Sequence, residues 1–126
     1  MYTTLLPVML GGAIGCAARW LVSLRMNALW PNLPLGTLIV NLVGGLIIGA
    51  AMACFTRYPN LDPGLRLFVM TGLCGGLTTF STFSLEVMTL LQSGRLAWAA
   101  TTVTVHVAGS LVMTFAGFAL VNRLVS

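Results

Sequence analysis

The chain has 126 residues, of which 58% are hydrophobic and only 6% are charged. Soluble domains carry about 25% charged residues, so this composition excludes a water-soluble protein and favours one integral membrane domain over residues 1–126. The net charge of +4 comes from six arginines that lie near the ends of apolar segments rather than on one face, which excludes a nucleic-acid-binding protein.

Four apolar segments are long enough to cross a membrane, since a helical span takes roughly 20 residues. The predicted spans are residues 4–24, 35–55, 67–91 and 98–121. Proline-containing stretches separate the first three spans, and a short turn precedes the fourth. The sequence therefore predicts an all-α, multi-pass membrane protein with four transmembrane helices per chain.

Three polar side chains interrupt the first two spans. Arg19 lies near the end of the first span, and Thr37 and Asn41 lie one turn apart on the same face of the second. An amide without a partner in hydrocarbon costs roughly 4–8 kcal/mol on an alkane scale, so Asn41 needs a partner. It either donates hydrogen bonds to a passing anion or joins two helices, and the sequence leaves both possibilities open.

The third span contains a run from Gly72 to Ser84 that is rich in glycine and hydroxyl side chains. Irregular backbone at membrane depth is tolerated only where protein buries it or where it lines a polar path. The run therefore predicts a third helix broken mid-membrane, at a transport route or an ion site. Phe80 and Phe83 are neighbours if the helix resumes after Thr79; their positive ring edges suit a dehydrated anion, although phenylalanine in a membrane also packs against lipid or protein.

Polar residues also mark the later part of the chain. Glu86 is the only acidic residue inside a span, and intramembrane carboxylates are functional by default. The fourth span carries Thr102, His106, Ser110 and Thr114 at steps of four, which places them on one helix face. This stripe predicts either a polar rail along a pore or helix packing in which the hydroxyls bond their own backbone.

The arginines leave the orientation of the chain in the membrane undecided. The side that holds the termini carries Arg57, Arg66 and Arg123, and the opposite side carries Arg19, Arg25 and Arg95. Orientation follows the excess of Lys and Arg in short loops, and here there is none. The simplest prediction is insertion in both directions and an antiparallel, dual-topology homodimer, a two-chain version of the inverted repeats of transporters. The alternative is that a few residues, or the lipid, fix a single orientation.

Three motifs resemble those of the Fluc (CrcB) family of fluoride ion channels. They are GAIGCAARW at 12–20, GTLIVNLVG at 36–44 and GLCGGLTTFSTFSLE at 72–86, and the third is the most specific. The length and the four-span layout also fit. The resemblance implies an antiparallel homodimer with two fluoride pathways and a structural sodium ion at the dimer interface.

The resemblance also implies roles for individual residues. The fluoride pathway comprises Asn41, Phe80, Phe83, Ser81, Thr82, Ser110 and Glu86, together with His106 and Thr37. Arg19 resembles the arginine of the vestibule, and Gly75 and Thr78 resemble the residues whose backbone carbonyls hold sodium.

The function implied is a fluoride-selective channel in the plasma membrane (the inner membrane of a bacterium), with fluoride, membrane lipid and a second copy of the chain as partners. It exports cytoplasmic fluoride by passive, voltage-driven permeation and so lowers its toxicity. No phosphate-binding loop and no nucleophile–base pair is present, so no enzymatic activity is expected. Two alternatives stay open: a proton-coupled exporter that uses Glu86, and a non-transporting membrane subunit.

Overall fold

The computed structural model describes all 126 residues and contains helices, turns and no strands. The elements are α1 (Tyr2–Met26), a 3-10 helical turn (Asn27–Leu29), α2 (Leu35–Arg57), α3 (Pro63–Arg66), a π-helix (Leu67–Cys74), α4 (Gly75–Leu77), α5 (Phe80–Gln92) and α6 (Leu96–Leu124). They make up four units long and apolar enough to cross a membrane, at Tyr2–Leu29, Leu35–Arg57, Pro63–Gln92 and Leu96–Leu124. The prediction of four membrane-spanning helical segments is confirmed.

Local chemistry explains where several helices begin and end. Asp62 caps α3 by accepting a hydrogen bond from the N–H of Leu65 at 3.2 Å, and Pro63 occupies the first helical turn, where its missing N–H costs nothing. Gly94 adopts the left-handed conformation (φ 74°) that the turn between α5 and α6 requires. Pro34 precedes α2, and its side chain forms no capping hydrogen bond.

Close approach of helix backbones holds the chain together. The helix α2 packs along α6, and α1 packs along the π-helix and α4. A Cβ atom on Gly72 would lie 2.8 Å from the carbonyl oxygen of Val8, and one on Gly76 would lie 2.6 Å from the carbonyl oxygen of Gly12. These glycines therefore allow α1 and the third span to touch, as small residues do in membrane helices.

The outer surface of the bundle is apolar, whereas several of its buried side chains are polar. Leu10, Leu111 and Phe115 are exposed, while Thr37 and His106 are buried. This arrangement suits a chain surrounded by lipid, because lipid tails are as apolar as leucine. The fold is therefore that of a multi-pass membrane protein with polar side chains in its interior.

Candidate ion site at the third span

The backbone of the third span is extended at two residues between α4 and α5. Thr78 has φ −88° and ψ 156°, and Thr79 has φ −150° and ψ 121°. The Thr78 N–H and hydroxyl both donate to the carbonyl oxygen of Cys74, at 3.0 and 2.7 Å. The Thr79 hydroxyl accepts from the N–H of Thr82 at 3.1 Å and so caps the N-terminus of α5. Side chains thus satisfy part of the backbone that the extended pair leaves outside helical hydrogen bonding.

Asn41 of α2 bonds both polar groups of the Thr79 backbone. Its Oδ1 accepts from the Thr79 N–H at 2.7 Å, and its Nδ2 donates to the Thr79 carbonyl oxygen at 3.1 Å. The same Nδ2 lies 3.1 Å from Nδ1 of His106. Both hydrogens of the amide are therefore occupied within the chain. Of the two possibilities that the sequence left open, this geometry favours the joining of helices, here within one chain, over direct donation to an anion.

The contact with Asn41 fixes where the proton of His106 lies. An amide nitrogen can only donate, so Nδ1 of a neutral His106 must accept and the ring proton lies on Nε2. Nε2 is buried and has no hydrogen-bond partner in the chain. A buried donor without a partner is costly, so this N–H is suited to an acceptor that the chain itself does not supply.

The two phenylalanines contact each other and the histidine. The rings of Phe80 and Phe83 meet edge to face, with centroids 5.4 Å apart and planes inclined by 70°. Phe83 also lies against His106, with a centroid separation of 4.6 Å. Phe83 is 6% exposed, whereas Phe80 is 77% exposed. One ring is thus fixed in the interior while the other lies at the surface of this single chain.

A cavity of about 500 Å³ opens beside the extended residues. It brings together many of the residues that the sequence singled out: Asn41, Gly75, Thr78, Phe80, Phe83, His106 and Ser110. The Ser110 side chain forms no hydrogen bond within the chain, although its carbonyl accepts from Thr114. A second cavity of about 390 Å³ continues along α5 and α6 and shares both phenylalanines with the first. Its one polar lining residue is Ser84.

The stripe on the fourth span divides into two kinds of residue. The hydroxyls of Thr102 and Thr114 donate to carbonyl oxygens of their own helix, four residues earlier, at 2.8 and 2.9 Å. His106 and Ser110 instead line the cavity. Thr102 and Thr114 therefore fit the interpretation as helix packing, whereas His106 and Ser110 present polar atoms to the cavity.

Ser81 and Thr82 lie on the first turn of α5 and do not line either cavity. Ser81 is exposed, and its hydroxyl lies 3.3 Å from that of Thr79. Thr82 is half-buried and contributes its N–H to the cap of the helix. Within one chain these two residues are close to the extended residues Thr78 and Thr79 but outside the cavity.

Thr37 and Glu86 form a separate cluster that does not line the cavity. The Thr37 hydroxyl lies 2.6 Å from Oε2 of Glu86, and Thr37 is completely buried. The other carboxylate oxygen of Glu86 is buried without a hydrogen-bond partner. The intramembrane carboxylate is therefore only partly satisfied within the chain.

Asn27, which the motifs did not single out, belongs to this cluster. Its Oδ1 accepts from the N–H of Thr37 at 3.0 Å, and its Nδ2 lies 3.3 Å from the Thr37 hydroxyl oxygen. A sequence signal existed in part: Pro34 cannot cap α2 through its side chain, so an N–H of the first turn requires an acceptor from elsewhere. Only the fold shows that Asn27 supplies it.

Arg19 is half-buried and contacts the third span just before the extended residues. Its Nε donates to the carbonyl oxygen of Gly76 at 2.9 Å, and a terminal guanidinium nitrogen lies 3.9 Å from Sγ of Cys16. The guanidinium thus bonds the backbone next to the extended residues Thr78 and Thr79 while keeping its positive charge.

Two residues that line the cavity, Thr78 and Gly75, have backbone that the rest of the chain leaves unpaired or uncovered. The carbonyl of Thr78 accepts no backbone or side-chain hydrogen bond within the chain. Gly75 is exposed, and a Cβ atom placed on it would meet no atom within 4 Å. Backbone carbonyls are ligands of hard cations, and the chain holds no cluster of His, Cys, Asp or Glu side chains that would offer a different kind of metal site.

Comparison with known proteins adds independent information. A family described as "CrcB-like protein, Camphor Resistance (CrcB)" matches residues 6–118. The chain is 63% identical to the "Fluoride-specific ion channel FluC" of Erwinia tasmaniensis over 124 residues, which cover 98% of this chain and 99% of the relative. It is 58% identical to the protein of the same name from Escherichia coli O1:K1, with 98% of each chain covered. It is 57% identical to "Fluoride-specific ion channel FluC 1" of Yersinia pestis over 126 residues, covering 100% of this chain and 99% of the relative.

Proposed function

This chain belongs to the CrcB family, and we propose that it is a fluoride-selective ion channel and not an enzyme. Relatives that are 53–63% identical and match nearly the whole chain carry the name of a fluoride-specific ion channel, which supports both statements. The structural observation that carries the proposal is the cavity at the third span. There a buried histidine N–H and a serine hydroxyl, both without partners in the chain, lie beside two phenylalanine rings.

Fluoride would be bound in this cavity by groups that replace its water. The Nε2–H of His106 and the hydroxyl of Ser110 are hydrogen-bond donors, and aromatic ring edges carry partial positive charge. Phe80 and Phe83 both border the two cavities, so an ion moving from one to the other passes their rings.

Asn41 would act in this scheme by holding the other groups in place. Its bonds to the Thr79 backbone maintain the extended conformation, which we place at the midplane of the membrane, and its bond to His106 keeps the ring proton on Nε2. Rigid positioning of donors matters because donors already oriented toward an anion need no rearrangement when it arrives.

Arg19 and the Thr37–Glu86 cluster would serve the entrances of the path. The positive charge of Arg19 raises the local concentration of anions. Glu86 lies beyond the first turn of α5, on the helix that carries both phenylalanines, and Thr37 donates a hydrogen bond to it. Ser81 and Thr82 occupy the first turn of the same helix, outside both cavities, and would offer their hydroxyls to fluoride there.

A second, inverted copy of the chain would complete the walls of the path. The exposed ring of Phe80 and the open face at Gly75 border the cavity on the surface of this chain. The equal division of arginines between the two membrane sides supports a dual-topology, antiparallel homodimer. At its centre the Gly75 and Thr78 carbonyls of both copies would offer four oxygen ligands to a structural sodium ion, which would neutralise carbonyls that the helices leave unpaired.

Passive flow through such a channel is sufficient for export. Moving one negative charge out of a cell that is negative inside gains about 2.3 kcal/mol per 100 mV. Four membrane-spanning segments place the protein in a membrane. For a bacterial cell we propose the inner membrane, where export removes toxic fluoride from the cytoplasm.

The test is fluoride efflux from liposomes that contain the purified protein, followed with a fluoride electrode. Wild type should release fluoride rapidly when a potassium ionophore sets the voltage and no proton gradient is present. Phe80→Ile and Phe83→Ile should slow release at least about tenfold, while Phe115→Ile, at an exposed ring of α6 that lines neither cavity, should not. Absence of release by wild type would support the non-transporting subunit.

A proton-coupled exporter would behave differently in the same assay. The buried, unpartnered carboxylate oxygen of Glu86 is the feature that favours this second candidate. Such an exporter would release fluoride only when a proton gradient is imposed, and Glu86→Gln would abolish the coupling. Release that follows voltage alone would exclude it.

A further inference from the structure

The cluster of Asn27, Thr37 and Glu86 contains hydrogen bonds whose directions follow from donor and acceptor chemistry when Glu86 is ionised. The Thr37 N–H can only donate, so it identifies the acceptor 3.0 Å away as Oδ1 of Asn27. The other amide atom is then Nδ2, which can only donate, and it lies 3.3 Å from the Thr37 hydroxyl oxygen. The hydroxyl therefore accepts from Asn27, and its single proton is directed to Oε2 of Glu86 at 2.6 Å.

From this chain of bonds we infer that Asn27 is a positioning residue, which holds the Thr37 hydroxyl in the orientation that donates to Glu86. The inference rests on the proposed function in one respect, namely that the carboxylate lies on the fluoride route. Asn27 does not line either cavity, so it acts through Thr37 and not on the ion.

The surrounding structure is shaped to bring Asn27 to this place. Asn27 follows the last residue of α1 and opens a 3-10 helical turn, and its backbone N–H still bonds the carbonyl of Ser23. A Cβ atom on Gly36 would lie 2.6 Å from Oδ1 of Asn27 and 2.7 Å from Cα of Ser23. Glycine at position 36 therefore lets the end of α1 approach the first turn of α2 closely enough for the side chain to reach Thr37.

Asn27 also provides a function that α2 cannot obtain locally. The residue before α2 is Pro34, which offers no side-chain acceptor to the free N–H groups of the first turn. The amide of Asn27 thus does two things: its oxygen caps α2, and its nitrogen sets the direction of the hydroxyl. The two parts can be separated, because Asn27→Asp retains the oxygen that caps and replaces the nitrogen that donates.

In Asn27→Asp the second carboxylate oxygen would accept the Thr37 proton and so compete with Glu86. Fluoride efflux should fall about tenfold, the size expected for one hydrogen bond to a charged group. Asn32→Asp is the matched control, because it adds the same charge to the same loop at a residue that bonds only Arg95. It should retain efflux within about twofold if orientation rather than charge is the cause.

A spectroscopic measurement separates positioning from a general loss of structure. Glu86 is the only glutamate in the chain, so glutamate labelled with ¹³C at the side-chain carboxyl reports on this group alone in the infrared spectrum. Asn27→Asp and Thr37→Val should shift the labelled band in the same direction, and Asn32→Asp should leave it in place. Asn27→Ala, which can neither accept nor donate, is the second variant if Asn27→Asp does not fold, and it should shift the band likewise.

The double variant completes the test. If Asn27 acts through the hydroxyl, Asn27→Asp combined with Thr37→Val should be no slower than Thr37→Val alone. An unshifted carboxyl band in the Asn27 variants, or losses of efflux that multiply in the double variant, would overturn the inference. Failure of wild type to release fluoride would instead refute the proposed function, while the infrared comparison would still decide whether Asn27 orients Thr37.

Discussion

Replacing Asn41 distinguishes a residue that holds the fold from one that only touches the ion. Asn41→Leu keeps a similar side-chain volume and removes three hydrogen bonds, two to the Thr79 backbone and one to His106. Hydrogen bonds between membrane helices average about 0.6 kcal/mol, so three of them account for about 2 kcal/mol. Where water cannot reach the Thr79 N–H or carbonyl, each group left without a partner adds about 1–3 kcal/mol to the loss of stability.

The measurement is equilibrium unfolding of the purified protein in mixed micelles with increasing SDS, together with fluoride efflux from liposomes. Asn41→Leu should be less stable than wild type by at least about 2 kcal/mol, and its efflux should fall more than tenfold. The control is Thr114→Val, because the Thr114 hydroxyl bonds only a carbonyl of its own helix and its loss should have little effect. An Asn41→Leu protein that is as stable as wild type but conducts no fluoride would refute this reasoning and assign the amide to direct contact with the anion.

Three further predictions concern packing, charge and orientation. Gly72→Ala should lower the free energy of unfolding by about 1–3 kcal/mol, because its methyl group would meet the backbone of Val8. Gly75→Ala should leave the stability of one chain unchanged but reduce cross-linking of the dimer. Equal effects of the two variants on stability and on cross-linking would contradict the dimer model. Arg19→Lys keeps the charge and loses the Nε bond to Gly76, so the free energy of unfolding should fall by about 1.5 kcal/mol while efflux is largely retained. Lost efflux with unchanged stability would contradict both expectations. Two lysines appended to one terminus should bias insertion, and only co-expression of oppositely biased copies should restore efflux; full activity of one biased population alone would disprove dual topology.

The sequence was sufficient to predict four membrane spans, because hydropathy and the length of a span leave few alternatives. It also drew attention to the run from Gly72 to Ser84, since glycine and hydroxyl residues at membrane depth require an explanation. The partners of the polar residues were not accessible in the same way. Asn41 bonds Thr79, which lies 38 residues away, and spacing within one helix carries no information about such a contact.

The stripe on α6 shows the same limit. Four residues at steps of four share one face, yet two hydroxyls bond their own helix while His106 and Ser110 line the cavity. Residue type alone does not decide between these outcomes, because threonine can satisfy itself locally wherever it lies on a helix. Asn27 was missed for a related reason: it lies in a connection, and only the approach of α1 to α2 at Gly36 gives it a role.

Selective conduction of fluoride through the cavity at the third span is the central claim, and one measurement addresses it directly. Liposomes loaded with both fluoride and chloride and containing the purified protein should, at a fixed membrane voltage, release their fluoride while they retain chloride. Release of both anions at comparable rates, or of neither, would contradict the claim.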